Sequence, residues 1–152
     1  MAGDTRFRST LLAGLLALAG AAVRADPVVV AAAASPLETL GPDDVARIFL
    51  GKTETTPAGH HVVPVDQPEG VPVREQFYRQ LTGKTAAQLR AYRARLIFTG
   101  QGQPPRQLSL EALARFLAAN PSAIGYCDRG AVPAGLRILY APVPEPSGRP
   151  TG

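Results

Sequence analysis

The sequence predicts an α/β domain with helices packed on a central sheet. Three observations carry that prediction. A β-branched apolar run, Val28-Val29-Val30, follows Pro27 near the start. Apolar stripes at i, i+3, i+4 spacing recur further on, as in Val45, Ile48 and Phe49. Short strand-like runs and helix-like stretches alternate between them, the pattern of a layered α/β fold.

The elements follow in order. Val28 to Ala34 lies between Pro27 and Pro36 and reads as a strand buried on both faces. Gly41-Pro42-Asp43-Asp44 opens a helix, with proline and acids in the first turn where the dipole and the missing proline N–H favour them, and Gly51 stops it. Residues 52–60 read as a loop. His61 to Val65 is a second strand, and Pro64 within it points to a sheet edge or a strand end. Pro72 to Leu81 is a helix whose stripe is Val73, Phe77 and Leu81, closed by Gly83. Thr85 caps a further helix from Ala86 to about Leu96, which is expected to expose Arg90, Arg93 and Arg95. Gly100 to Pro105 is a loop. Ser109 caps the next helix, with Leu113, Phe116 and Leu117 on its buried stripe, and Asn120-Pro121 ends it. Ile124-Gly125-Tyr126 and Leu136 to Tyr140 are the remaining strands.

Three segments organise the chain: residues 1–25, 26–141 and 142–152. The first reads as a cleavable signal peptide. Arg6 and Arg8 are its positive start, Leu11 to Ala22 its apolar run, and Val23-Arg24-Ala25 its cleavage site. The run is about a dozen residues, short of the ~20 needed to span a bilayer. Asp26, not cysteine, follows the cut, so no lipid anchor is expected. The middle segment is one α/β domain. The last is a Pro/Gly-rich tail with too few apolar residues to form a core. A periplasmic location, with the membrane met only during export, follows from the leader.

The whole chain carries 16 Lys and Arg against 12 Asp and Glu. Without residues 1–25 the balance is 13 against 11, or +2. That charge is too mild for a nucleic-acid or membrane-surface binder. The single cysteine, Cys127, allows no internal disulfide and is expected to be buried behind Ile124-Gly125-Tyr126.

Catalytic and metal-binding patterns are lacking. There is no HExxH, CxxC, GxSxG or phosphate loop. His60 and His61 are adjacent, a poor spacing for one ion on a strand. The expectation is a protein that is not an enzyme and uses no cofactor or metal. The informative stretch is the turn from Asp66 to Arg74, which leaves a strand and enters a helix N-terminus, a natural seat for an anion. The candidate ligand-binding residues are Gln67, Glu69, Gly70, Val71 and Arg74. Arg74 opposes the helix dipole. It either holds an anionic ligand or pairs with an acid such as Glu69 or Glu75.

Five segments together resemble a known family: Ile48-Phe49-Leu50-Gly51-Lys52, Val63-Pro64-Val65-Asp66, Arg74-Glu75-Gln76-Phe77, Phe98-Thr99-Gly100, and Asn120-Pro121 through Tyr126. In this order they are similar to one lobe of the phosphate-binding components of bacterial ABC transporters, and most to short single-lobe periplasmic versions. The resemblance covers residues 28–140. It implies a single lobe of a type 2 periplasmic-binding-protein-like fold, a central mixed sheet flanked by helices. It also implies a ligand such as phosphate or another small oxyanion. In the two-lobe relatives an Arg, an Asp and a Ser-Gly-Thr turn hold that ligand. Aligned on Phe77, those positions fall on Gln67, Glu69 and Val71-Pro72-Val73, so only the carboxylate and Gly70 remain. The expected function is a solute-binding-type periplasmic protein with a degenerate anion turn, working with a transporter component. The alternative is a module that docks on a membrane sensor or channel and binds no phosphate.

Overall fold

The computed structural model describes residues 24–143. The expected signal-peptide features at residues 1–23, and the tail from 144 onward, lie outside the described residues.

Five strands and four helices are arranged as β1 (Pro27–Ala32), α1 (Pro42–Phe49), β2 (Val63–Asp66), α2 (Pro72–Thr82), α3 (Ala86–Phe98), β3 (Arg106–Gln107), α4 (Leu110–Ala119), β4 (Ala123–Asp128) and β5 (Leu136–Tyr140). The sheet order is β3-β2-β4-β1-β5. β2 pairs parallel with β3 and with β4. β1 pairs antiparallel with β4 and β5, so it is the one reversed strand of a mixed sheet.

β1 is buried along its whole length, as its unbroken apolar run predicts. Its alternate residues serve two cores. Val29 and Ala31 join Ile48, Phe49, Phe77, Tyr126 and Leu89 beneath α1, α2 and α3. Val28 and Val30 join Val65, Leu113, Leu117 and Cys127 beneath α4. Cys127 is buried, as expected, and burial pushes its thiol up to about 11.

The helix boundaries follow their caps. Thr85 and Gln88 form a reciprocal capping box at the start of α3. The Ser109 hydroxyl accepts from the Ala112 N–H at the start of α4. Gly83 ends α2 with φ 68°, a left-handed C-terminal cap that only glycine adopts without strain.

Three expectations are corrected and one is narrowed. β1 stops at Ala32, because Ala33 and Ala34 turn the chain toward Ser35. β2 starts at Val63, with His61 forming only an isolated bridge to Thr55. Pro64 lies in an interior strand, not at a sheet edge, but at the second position of β2, which fits the strand-end alternative. The Val63 N–H donates to Ser122 O on the β4 side at 2.9 Å. Successive N–H groups alternate sides, so the Pro64 nitrogen faces the β3 side, where pairing begins only at Val65. Finally, Arg93 is buried, not exposed like Arg90 and Arg95. The cause is an acid that reaches it from β2.

Candidate functional site

The parallel strands β2 and β3 end at the same edge of the sheet, and five residues, 67–71, separate the end of β2 from the start of α2. In α/β sheets the crevice beyond the carboxyl ends of parallel strands is the usual ligand seat. A groove of about 240 Å³ opens there between the 67–71 turn, α2 and α3. Arg74, Arg90 and Arg93 line it, with Glu69 at its lip and Ala94 and Ile97 along its wall.

Asp66, the last residue of β2, organises this edge and is fully buried. Five donors converge on its carboxylate. Arg93 Nη1 lies 2.7 Å from Oδ2, and the Tyr78 hydroxyl 3.1 Å from the same oxygen. Tyr126 donates its hydroxyl to Oδ1, and the Gln67 N–H reaches Oδ1 at 2.8 Å. Arg74 Nε sits 3.4 Å from both oxygens. Arg93 Nη2 also donates to the Tyr78 hydroxyl at 2.5 Å. Phe77 stacks on Tyr126 at 4.0 Å between ring centres and fixes the plane from which that hydroxyl approaches.

The electrostatics follow from burial. Burial, with the Asp66 charge added, pushes both the Tyr78 and Tyr126 phenols far above the ordinary tyrosine range, so both stay neutral donors. For Arg93 burial works against the charge, but Tyr78 and Asp66 outweigh it and raise its pKa. One carboxylate and two guanidiniums leave this buried group with one net positive charge. Glu69 and Arg90 form a separate, exposed pair at the groove lip, with Arg90 Nε 3.0 Å from Oε1. Arg90's hydrogen bond holds the Glu69 carboxyl below its usual range.

Arg74 is the polar group with capacity to spare. It is 4 % exposed and lines the groove. Its Nε faces Asp66, yet no acceptor among the described residues lies within hydrogen-bonding distance of its two Nη groups. No side-chain polar atom among the described residues is both fully buried and unpaired. The Nη groups therefore reach the groove, where a ligand oxygen could accept from them.

The five residues singled out in the sequence fall into different environments. Gln67 is buried, its amide donating to Tyr126 O at 2.7 Å, which leaves it facing inward. Glu69 is exposed and paired with Arg90. Gly70 takes φ 91° in open space, a turn position that favours glycine. Val71 is the half-buried N-cap of α2 and offers no side-chain cap. Arg74 is at the groove. Its acidic partner is Asp66, which corrects the expected pairing with Glu69 or Glu75. The cost of a cation in the first turn is offset by this closer, buried anion. Asp66, Tyr78, Arg90, Arg93 and Tyr126 were not singled out as site residues. One signal was present: Arg74 and Tyr78 stand at i, i+4, on one helix face.

Two solved structures share the architecture. One is an ABC-type phosphate transport receptor from Vibrio cholerae, with a TM-score of 0.56 and 13 % identity, over 76 % of this chain and 45 % of the receptor. The other is a putative phosphate ABC transporter substrate-binding protein from Clostridium perfringens, determined with bound phosphate. Its TM-score is 0.55 and its identity 18 %, over 76 % of this chain and 44 % of that one. The fold, a five-stranded mixed sheet flanked by helices, is similar to one lobe of these periplasmic-binding-protein-like receptors. The chain spans less than half the length of either receptor. No family profile and no curated protein matches the sequence. These two structures are a transport receptor and a substrate-binding protein. Among its described residues no helix is long and apolar enough to cross a membrane.

Proposed function

We propose that this lobe is an exported solute-binding-type protein that takes a small oxyanion, with phosphate the first candidate, in the groove between α2 and α3. The observation that carries the reading is Arg74: a buried guanidinium, fixed through Nε by Asp66, that presents its Nη groups to that groove. Arg90 and Arg93 add positive charge on the α3 side. The neighbours' phosphate chemistry supports the ligand class, and their role in ABC transport supports a transporter component as partner. The Ser-Gly-Thr type of anion turn is replaced by Val71-Pro72-Val73, so the arginines, not the turn, supply the donors.

The experiment is titration calorimetry with inorganic phosphate at constant ionic strength, with chloride as control. Saturable binding is expected. A charge-assisted hydrogen bond contributes about 1.5–3 kcal/mol. Arg74→Gln should therefore weaken binding by roughly 10- to 100-fold, provided near-UV circular dichroism shows the fold intact. Arg90→Gln, at an exposed position, should weaken it by a smaller factor without touching stability. A flat titration to millimolar phosphate overturns phosphate as the ligand.

A further inference from the structure

We propose that the preferred ligand of this groove is an organic monoanion, with its oxyanion head on Arg74 and an apolar body lying along α3. The inference rests on the groove being the binding site, and it names the ligand class.

Charge is the first argument. Asp66 already cancels one of the two buried guanidiniums, and Glu69 cancels Arg90. One positive charge remains for a ligand to match. A monoanion neutralises the site, whereas a dianion adds an unmatched negative charge close to the fully buried Asp66 carboxylate, which disfavours it.

Shape and lining are the second argument. The groove has a volume of about 240 Å³. A tetrahedral oxyanion of five heavy atoms fills only part of that space. Beyond the arginines, the wall consists of Ala86, Ala94, Ile97 and Pro104, with Gln107 at the β3 side. Ala94 and Ile97 are one turn apart on the same face of α3. Ile97 is 58 % exposed among the described residues, an apolar side chain beside a cationic site. An inorganic ion would leave this wall wet. A short alkyl or aryl body would cover it and gain from the burial.

The test compares acetate, hexanoate, hexanol and inorganic phosphate by titration calorimetry on the full chain at fixed pH and ionic strength. Hexanoate has the head of acetate plus four methylenes. Each methylene fully buried contributes about 0.8 kcal/mol, or roughly fourfold in affinity. In an open groove hexanoate should therefore bind at least about tenfold tighter than acetate or phosphate. Ile97→Ser should erase most of that gain, lowering hexanoate affinity far more than acetate affinity, and Arg74→Gln should weaken both. Phosphate binding that depends on Arg74 and equals or exceeds hexanoate overturns this inference and leaves the oxyanion reading standing. Hexanol binding as well as hexanoate also overturns it, since the head would then contribute nothing. Absence of binding by every anion overturns both readings together.

Discussion

At the scale of single residues, Asp66 decides how the site is held. Arg74 and Arg93 point toward each other's charge at a buried position, and only the carboxylate between them makes that arrangement stable. Asp66→Asn keeps the shape and removes the charge. Breaking a buried ion pair from one side costs about 3–5 kcal/mol, and a loss in that range is expected by urea unfolding. Adding Arg93→Met should recover part of it, because one stranded cation disappears. A loss below ~1 kcal/mol for Asp66→Asn would contradict the central role of the carboxylate. Only part of this cluster was legible in the sequence. Arg74 announces itself as a cation in a first turn, where the helix dipole disfavours it. Asp66 and Arg93 do not. They are 27 residues apart, and only the packing of α3 over the end of β2 brings them together. Without that contact an arginine on a mixed helix reads as solvent-facing.

At the scale of elements, α4 approaches the sheet more closely than side chains would allow. Gly125 in the middle of β4 makes this possible: a Cβ there would lie 2.6 Å from Leu113 Cδ1. Gly125→Ala is expected to cost about 1–3 kcal/mol by overpacking, measured by thermal or urea unfolding. Leu113→Ala added to it should cost less than the sum of the two single changes, since each makes room for the other. Apolar stripes or runs made three of the four helices and four of the five strands legible, and the Thr85 cap marked α3, whose apolar residues form no single stripe. β3 was not legible. It is two residues, both exposed, and exists only because β2 offers an unpaired edge beside it. Pro64 was ambiguous for a related reason. Proline marks a missing hydrogen bond, and the shortness of β3 supplies one inside the sheet.

At the scale of the whole molecule, long-range ties join segments that are far apart in sequence. One crosses from the stretch after β1 to the 53–61 loop. Glu38 accepts from the Ala58 N–H at 3.0 Å and lies 3.1 Å from His60 Nδ1. The Thr56 hydroxyl is the main cause that holds its carboxyl down at about 2, against 4.5 ordinarily. A depressed carboxylate stabilises the folded state above its unfolded pKa, and that contribution fades as pH falls from about 4.5 toward 2. Stability should decline over that window, and Glu38→Gln should flatten the decline. An identical pH profile in the variant would rule the tie out. A second tie has a temporal meaning. β1, the first strand, sits between β4 and β5, the last two. The Asp26 N–H donates to the Asp128 carboxylate 102 residues further along the chain. Whatever emerges N-terminus first, from a ribosome or through a narrow channel, therefore carries an uncovered apolar strand until nearly the entire lobe has followed. The sheet cannot be completed until the C-terminal strands have followed, and until then Val28-Val29-Val30 is the apolar segment a holding chaperone would meet.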